Sequence, residues 1–414
     1  MKVLLYSHFY YPEVGAASTR MQYFVKSLKA AGHDVKVVTP LPNYPSNKTY
    51  AGFENINRPI TKDEVTYLPI YSSENHSIYK RLYSYINYFF VSLKFVLFNN
   101  YKPDLIISSS PPLFTPFAAM IAAKVKGAKF ILDVRDIWPD IGIELGLLNK
   151  KIYIWGLRLI EKMIMKGASF ITVTAEADKE NLVSKKVDEK KIFVLYNGAD
   201  TKLFKASYNS TRDKIKNSFN LPDNKQIVLF VGSFNDGMND IRNLGKALAN
   251  FDTKSNNCHF VFAGDGSNRK EFFSELNGST DYTYLGLLEL DELSKLLSVA
   301  DLNLVPRKMN KKNIGGNIPV KCFESWASEI PVLISAEKNS EIAKIFEQCN
   351  AGILIEPNDA ESFRSSLEKI LKENNLKEMG RRGRELVEKY YDRNKQSDKL
   401  TEIISKLNNH KSNS

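Results

Sequence analysis

Short apolar runs alternate with helical patterns along this chain. The alternation completes one series, breaks, and starts again. In the first half the runs are Lys2–Tyr6, Asp34–Thr39, Val65–Leu68, Leu105–Ser108, Phe130–Asp133 and Phe170–Thr174. Most are nearly continuous in apolar residues, as parallel strands covered on both faces must be. Between them lie helices such as Thr19–Ala31, whose Met21, Phe24, Val25 and Leu28 share a face. Strand, helix, strand in repetition implies a doubly wound α/β sheet. Leu195–Phe204 ends the series and the turn-rich Asn220–Gln226 follows. A second series comprises Ile227–Gly232, Cys258–Ala263, Thr283–Leu285, Leu302–Pro306, Pro331–Ile334 and Gly352–Ile355. A chain of 414 residues exceeds one ordinary core. The expectation is two α/β domains, 1–205 and 206–385. A charged helical segment, 386–414, follows, broken near Tyr391–Asp392 and ending in a disordered H-K-S-N-S.

Apolar residues at 43% and charged residues at 25% describe a soluble globular chain. Cys258, Cys322 and Cys349 form no C-x-x-C pattern and fit a reducing compartment. The opening M-K-V-L-L-Y reads as a strand and not as a signal peptide. The net charge of +11 points to an anionic membrane, nucleic acid or phosphorylated small molecules, or reflects solvated lysines spread along the chain. Nucleic acid has only the charge in its favour, because no binding module is present and the aromatics sit in apolar helices.

Ligands of such sheets bind at the carboxyl ends of the strands, and two facing sheets would offer a cleft. In Y-Y-P-E-V-G-A-A-S-T-R, Gly15 permits close backbone approach and Ser18 or Thr19 is placed to cap a helix whose N-terminus attracts an anion. An ordinary strand-to-helix loop fits equally, and the G-x-G-x-x-G fingerprint is missing. F-V-G-S-F-N-D-G repeats the arrangement, with Gly232, Ser233 and Gly237 offering N–H groups to phosphate oxygens. F-A-G-D-G, Phe262–Gly266, reads as structural.

The richest region is Val305–Ser335. Arg307, Lys308, Lys311 and Lys312 precede the flexible Gly315–Gly316, and a helix starts near Pro319 with Lys321 in its first turn and Glu324 one turn on. Cations beside a helix N-terminus suit a diphosphate, and a nearby carboxylate suits a ribose diol. A solvated basic loop is the plainer alternative. Ser340 caps a further helix at the same sheet end, with Glu341 in its first turn.

Two helical stretches combine aromatics with cations. Tyr79–Phe98 holds Tyr85, Phe89, Lys80, Arg81 and Lys94, and Lys150–Lys166 has a similar character. Both suit helices lying in a membrane interface, and both equally suit core-facing helices.

Taken in order, the Gly15 loop, V-R-D-I-W-P, Y-N-G-A-D-T-K-L-F and P-V-K-C-F-E-S-W-A-S-E-I-P-V-L resemble the glycosyltransferases of family four. The likeness spans nearly the whole chain and is strongest to the L-fucosamine transferase branch of bacterial surface-polysaccharide assembly. It implies the GT-B fold: two Rossmann-like domains, a nucleotide-sugar held mainly by the second, an acceptor on the first, and a C-terminal helix crossing back to the first. It also implies retention at the anomeric carbon without a metal or other cofactor. On this resemblance Glu324 matches the ribose-binding glutamate, Lys321 falls near the diphosphate, and Gly15 approaches it. Two departures stand out. Gly316 occupies the position of a usual glutamate, and S-F-N-D-G-M-N-D lacks the usual Arg and Lys, which shifts the cationic role to Lys321 and Arg307.

Asp133–Asp140, D-V-R-D-I-W-P-D, then gains a role. Asp136 would orient the acceptor hydroxyl and take its proton late, Arg135 would hold an anionic acceptor, and Trp138 would offer a flat face to a sugar. Alternatively Arg135 and Asp136 pair internally while Trp138 fills the core. The reading is transfer of a UDP-linked sugar, hexosyl or of N-acetylated amino type, to a polyprenyl-diphosphate-linked acceptor. The work would take place at the inner face of the plasma membrane, with the positive charge drawn to anionic lipid. A nucleotide-sugar 2-epimerase and a non-catalytic sugar-binding subunit are the alternatives.

Overall fold

Alternating side chains on each central strand are apolar in both directions, so each strand needs cover on both faces, and helices supply it. The structure, a computed structural model, describes residues 1–43, 49–71, 78–249, 251–276, 280–308, 318–357, 359–373 and 375–409. Lys311, Lys312, Gly315, Gly316 and the terminal H-K-S-N-S lie outside the described residues. Among the described residues, Met1–Asn197 and the helix from Asn394 form one compact unit, and Gly198 to Arg393 form the other.

The first unit holds an eight-stranded sheet of order β3-β4-β2-β1-β5-β6-β7-β8. The strands are β1 (Lys2–Tyr6), β2 (Asp34–Pro40), β3 (Ile60–Lys62), β4 (Val65–Leu68), β5 (Leu105–Ser110), β6 (Lys129–Val134), β7 (Phe170–Val173) and β8 (Ile192–Val194). All pairings are parallel except β3 with β4. One face carries Val3, Leu5, Val37 and Ile107. It is covered by α1 (Ala16–Ala30), through Met21, Phe24 and Leu28, and by the terminal helix Arg393–Asn409, through Leu400, Ile403, Ile404 and Leu407. The other face carries Leu4, Tyr6, Ile106 and Leu132. It is covered by α2 (Ile78–Phe98), α3 (Phe114–Lys126) and α5 (Lys151–Gly167). A short α4 (Asp140–Glu144) precedes α5.

The second unit is a six-stranded, all-parallel sheet of order β11-β10-β9-β12-β13-β14. Its strands are β9 (Gln226–Val231), β10 (Cys258–Ala263), β11 (Tyr282–Gly286), β12 (Leu302–Val305), β13 (Val332–Ser335) and β14 (Gly352–Ile355). Phe230, Phe234, Phe260, Phe262 and Phe272 pack as a cluster of edge-on and stacked rings in its core. The stretch after Asn197 is fastened to the end of the same unit. Gly198 has φ 53, and a Cβ there would lie 2.0 Å from the carbonyl oxygen of Tyr391. That glycine therefore allows Ala199 N–H to reach Tyr391 O (3.0 Å) and Arg393 N–H to reach Ala199 O (2.9 Å). No helix among the described residues is long and apolar enough to cross a membrane.

Both sheets reverse winding direction beside their first strand, at β1/β5 and at β9/β12, so the loops beyond those strand ends are the natural ligand positions. The first of these regions is fixed by a buried ion pair. Arg20 of α1 donates to both oxygens of Asp133 on β6, with Nη2–Oδ1 2.7 Å, and Asp133 is wholly buried. Removing one partner leaves a buried charge alone. Arg20→Met or Asp133→Leu singly is therefore expected to cost about 3–5 kcal/mol in urea unfolding of the first unit. The double change should restore much of that loss. Additive losses in the double variant would show that the two charges are not coupled.

Candidate functional site

In the first unit the site begins where β1 ends. Gly15 is the N-cap of α1 with φ 147, a conformation that favours glycine, and it makes no side-chain cap. The helix thus starts earlier than its apolar pattern indicates, and Ser18 and Thr19 lie inside it and not at its cap. Ser18 instead accepts from Gln22.

β5 and β6 deliver the other side of this site. Asp133 is saturated: besides Arg20 it accepts from Ser109 Oγ at 3.1 Å and Thr172 Oγ1 at 2.7 Å. Arg135, two residues on, donates Nε–H to Ser109 Oγ (2.8 Å) and Nη2–H to the carbonyl of Pro111 (2.6 Å). Its guanidinium lies 5.8 Å from the Phe9 ring centroid. Asp136 is half-buried and lines a small recess with Ser110, Leu113, Trp138 and Glu161. Trp138 packs against the core and over Gly142, where a Cβ would meet its ring at 2.7 Å. The ring's placement is thus the core-filling one.

Sequence reasoning missed His8. It follows β1, is nearly buried, and stands edge-on to Phe9, Tyr85 and Tyr88. Its Nδ1 is buried without a hydrogen-bond partner. Burial first, then the charges of Arg135 and Arg81, push its pKa down to about 3, so the ring is neutral. The structure also revises the reading of α2. Tyr85 faces His8, and Phe89 stacks on Phe117 at 5.4 Å. These two turn inward, while Lys80, Arg81 and Lys94 are exposed.

In the second unit the strand ends after β9, β12 and β13 converge with the start of the helix Val320–Ala327. Gly232, just past β9, has φ 155, and a Cβ there would sit 2.8 Å from Lys321 Nζ. Lys321 donates to Asn239 Oδ1 at 3.2 Å and lies over the Phe230 ring at 5.3 Å. Desolvation, with Arg307 nearby, lowers its pKa to about 8. Arg307 is fixed by its backbone: its N–H donates to Ser335 Oγ (2.7 Å), and that hydroxyl donates to the Arg307 carbonyl (2.9 Å). Ser233 is exposed, and its hydroxyl accepts from Asn235 N–H.

The helix Val320–Ala327 places Lys321 and Glu324 one turn apart, with Pro319 at its N-cap. Glu324 is half-buried. One oxygen accepts from Arg393 Nη2 at 3.2 Å, and Arg393 also binds the carbonyl of Gly198 at 2.8 Å. Among the described residues the other Glu324 oxygen has no hydrogen-bond partner and is available to a ligand. Glu341 begins the helix after β13, whose N-cap is Ser340. The β9 loop has no cation of its own before Arg242. Its Asp236 is met by Lys308 at 3.0 Å. Positive charge at this strand end therefore comes from the β12 side. Among the described residues no cluster of His, Cys, Asp and Glu is arranged to hold a metal.

Comparisons with known proteins agree with this division. Residues 15–198 match the model of the Glycosyl transferase 4-like domain, and residues 211–386 that of Glycosyl transferases group 1. A relative in Escherichia coli (strain K12), WcaI, whose name assigns it to colanic acid biosynthesis as a glycosyl transferase, is 25% identical over 90% of this chain and 92% of its own. Among solved structures, sucrose-phosphate synthase from Thermosynechococcus elongatus aligns with TM-score 0.75 at 16% identity, over 98% of each chain. Anabaena HepE in complex with UDP-glucose aligns with TM-score 0.69 at 13% identity, over 98% of this chain and 100% of that one. The fold they share is GT-B.

The enclosure of Lys321 is directly measurable. Its ammonium is expected to titrate near pH about 8 in the free protein, followed by NMR of methyl-labelled lysines. Arg307→Ala removes a repelling charge and should move the titration upward. A value near the ordinary lysine pKa of about 10.4 in the unaltered protein would contradict the enclosed placement.

Proposed function

This chain is a glycosyltransferase of the group 1 family with a 4-like first domain, and from that premise we propose that it passes a sugar from a UDP-linked donor to a lipid-linked oligosaccharide. The reaction retains configuration, needs no metal, and serves surface-polysaccharide synthesis of the capsule or O-antigen kind. The transferred sugar is an N-acetylated amino sugar, as in the L-fucosamine transferases that the motifs resemble. The polyprenyl-diphosphate acceptor lies at the inner face of the plasma membrane, and the enzyme works there as a peripheral protein. The observation that carries this reading is the pairing of Lys321 and Glu324 on one helix turn beside Gly232. A cation for a diphosphate and a carboxylate oxygen for a ribose diol stand on one helix turn, and the missing Cβ of Gly232 leaves the room that the Lys321 ammonium occupies.

Breaking the anomeric bond places negative charge on the departing nucleoside diphosphate. Lys321 and Arg307 meet that charge as it develops, and because Lys321 is already held by Asn239 and the Arg307 backbone by Ser335, little reorganisation of either position is required. In the first unit Asp136 orients the acceptor hydroxyl and receives its proton late. Arg135 holds the acceptor's anionic part, and His8 can accept a hydrogen bond only because it is neutral.

Thermal shift with UDP, GDP, TDP and CDP, each with and without EDTA, tests the donor assignment. Stabilisation by UDP that is indifferent to EDTA is expected. No shift with any nucleotide would favour the non-catalytic reading. Glu324→Ala should weaken UDP binding at least about ten-fold, or 1.4 kcal/mol, whereas Asp136→Asn should lower turnover while leaving UDP affinity intact. The charge on Lys321 falls as pH rises through about 8, so UDP affinity should decline across that range. Lys321→Arg, always charged, should flatten the decline.

A further inference from the structure

The helix α5 has two apolar faces and only one of them is covered. Ile164 and Met165 are buried in the core, with Leu157 and Ile160 packed beside them. On the opposite side Ile152, Trp155, Leu159 and Met163 follow one another at helical spacing, and all are exposed, Ile152 by 68% and Trp155 by 65%. An ordinary surface helix hides its apolar stripe and shows polar residues outward. Here the outward face is apolar as well, and a patch of this kind marks an interaction surface.

The charges around the stripe identify what covers it. Lys151, Arg158, Lys162 and Lys166 are exposed on α5. Its one carboxylate, Glu161, is buried and bound to Lys185 at 2.6 Å. The neighbouring helices continue the pattern. α2 and α3 contain no Asp or Glu, and they expose Lys80, Arg81, Lys94 and Lys124 together with Phe90 and Phe98. All three helices lie on the same side of the sheet. A face with apolar side chains at its centre, basic residues throughout and no exposed carboxylate on its three helices complements a surface that is apolar beneath and anionic above.

We propose that this face docks on an anionic lipid bilayer, with α5 lying in the interface plane and inserting Ile152, Trp155, Leu159 and Met163. Lys151, Arg158, Lys162 and Lys166 extend to the headgroups, their alkyl stems along the apolar surface. Arg158 also pairs with Asp140 at 3.0 Å, and Lys185 joins Asp140 to Glu161, so the docking helix is tied to the end of the Arg135–Pro139 loop. The purpose of docking rests on the lipid-linked acceptor of the proposed function, but the docking itself requires neither donor nor acceptor.

Sedimentation with vesicles of phosphatidylglycerol and phosphatidylethanolamine tests this on the full chain, with phosphatidylcholine vesicles as the uncharged comparison. Binding is expected to the anionic vesicles, to weaken at about 0.5 M salt, and to shift Trp155 fluorescence to the blue, a shift that Trp155→Phe removes. Ile152→Asp with Leu159→Asp should lower partitioning about ten-fold or more, and Lys151→Glu with Lys162→Glu should do the same on anionic vesicles alone. Leu287→Asp, in the second unit and equally exposed at 65%, should change nothing. Undiminished binding by the double-Asp variant would overturn the proposal. So would equal binding to phosphatidylcholine, or self-association through α5 without vesicle binding. Because vesicle binding is read without substrates, a failure of sugar transfer would bear on the proposed function alone.

Discussion

The geometry of the first unit rests on the buried pair of Arg20 and Asp133. One carboxylate on β6 accepts from α1, from Ser109 on β5 and from Thr172 on β7, so a single charge locks three strands and a helix in register. The loops that leave β1, β5 and β6 inherit their positions from it. Arg135 is the clearest case, because the hydroxyl that fixes its Nε belongs to the same Ser109 that donates to Asp133. Asp133 has no capacity left for a ligand.

The second unit solves the opposite problem, keeping a cation available instead of satisfying it. Lys321 is enclosed beside Gly232 and Phe230 and is met by a neutral amide oxygen. Its lowered pKa records the cost of holding a charge there, a cost that a diphosphate bound beside it would relieve. Glu324 is held differently, with one oxygen anchored by Arg393. Arg393 also binds Gly198 O, so the Y-N-G-A-D stretch and the end of the unit jointly support the carboxylate.

The central strands are legible in the sequence because burial on both faces writes them as uninterrupted apolar runs. The edge strands Ile60–Lys62 and Ile192–Val194 escape that reading because each has only three residues, and Lys62 and Thr61 are exposed. The start of α1 is misread for a related reason: Ala16 and Ala17 carry no amphipathic signal, and the glycine that caps them looks like loop. Lys321 and Glu324 stand out because cations, glycines and a lone acid coincide at a strand end. Their supports do not, since Arg393 lies 69 residues from Glu324 and Arg20 lies 113 from Asp133. His8 gives no signal at all, because its isolation depends on Tyr85 and Tyr88 folding over it. α2 and α5 read alike as sequences, and only packing shows that Tyr85 and Phe89 turn inward while Trp155 and Leu159 do not.

The central claim is that the second unit recognises a nucleoside diphosphate through Lys321. Calorimetric titration of the protein with UDP, UMP and uridine, in the presence of EDTA, addresses it most directly when repeated with Lys321→Met. The account predicts that UDP binds well ahead of UMP, and that Lys321→Met removes most of that margin while uridine affinity stays the same. Equal affinities for UDP and UMP in the unaltered protein, or a margin untouched by Lys321→Met, would contradict it.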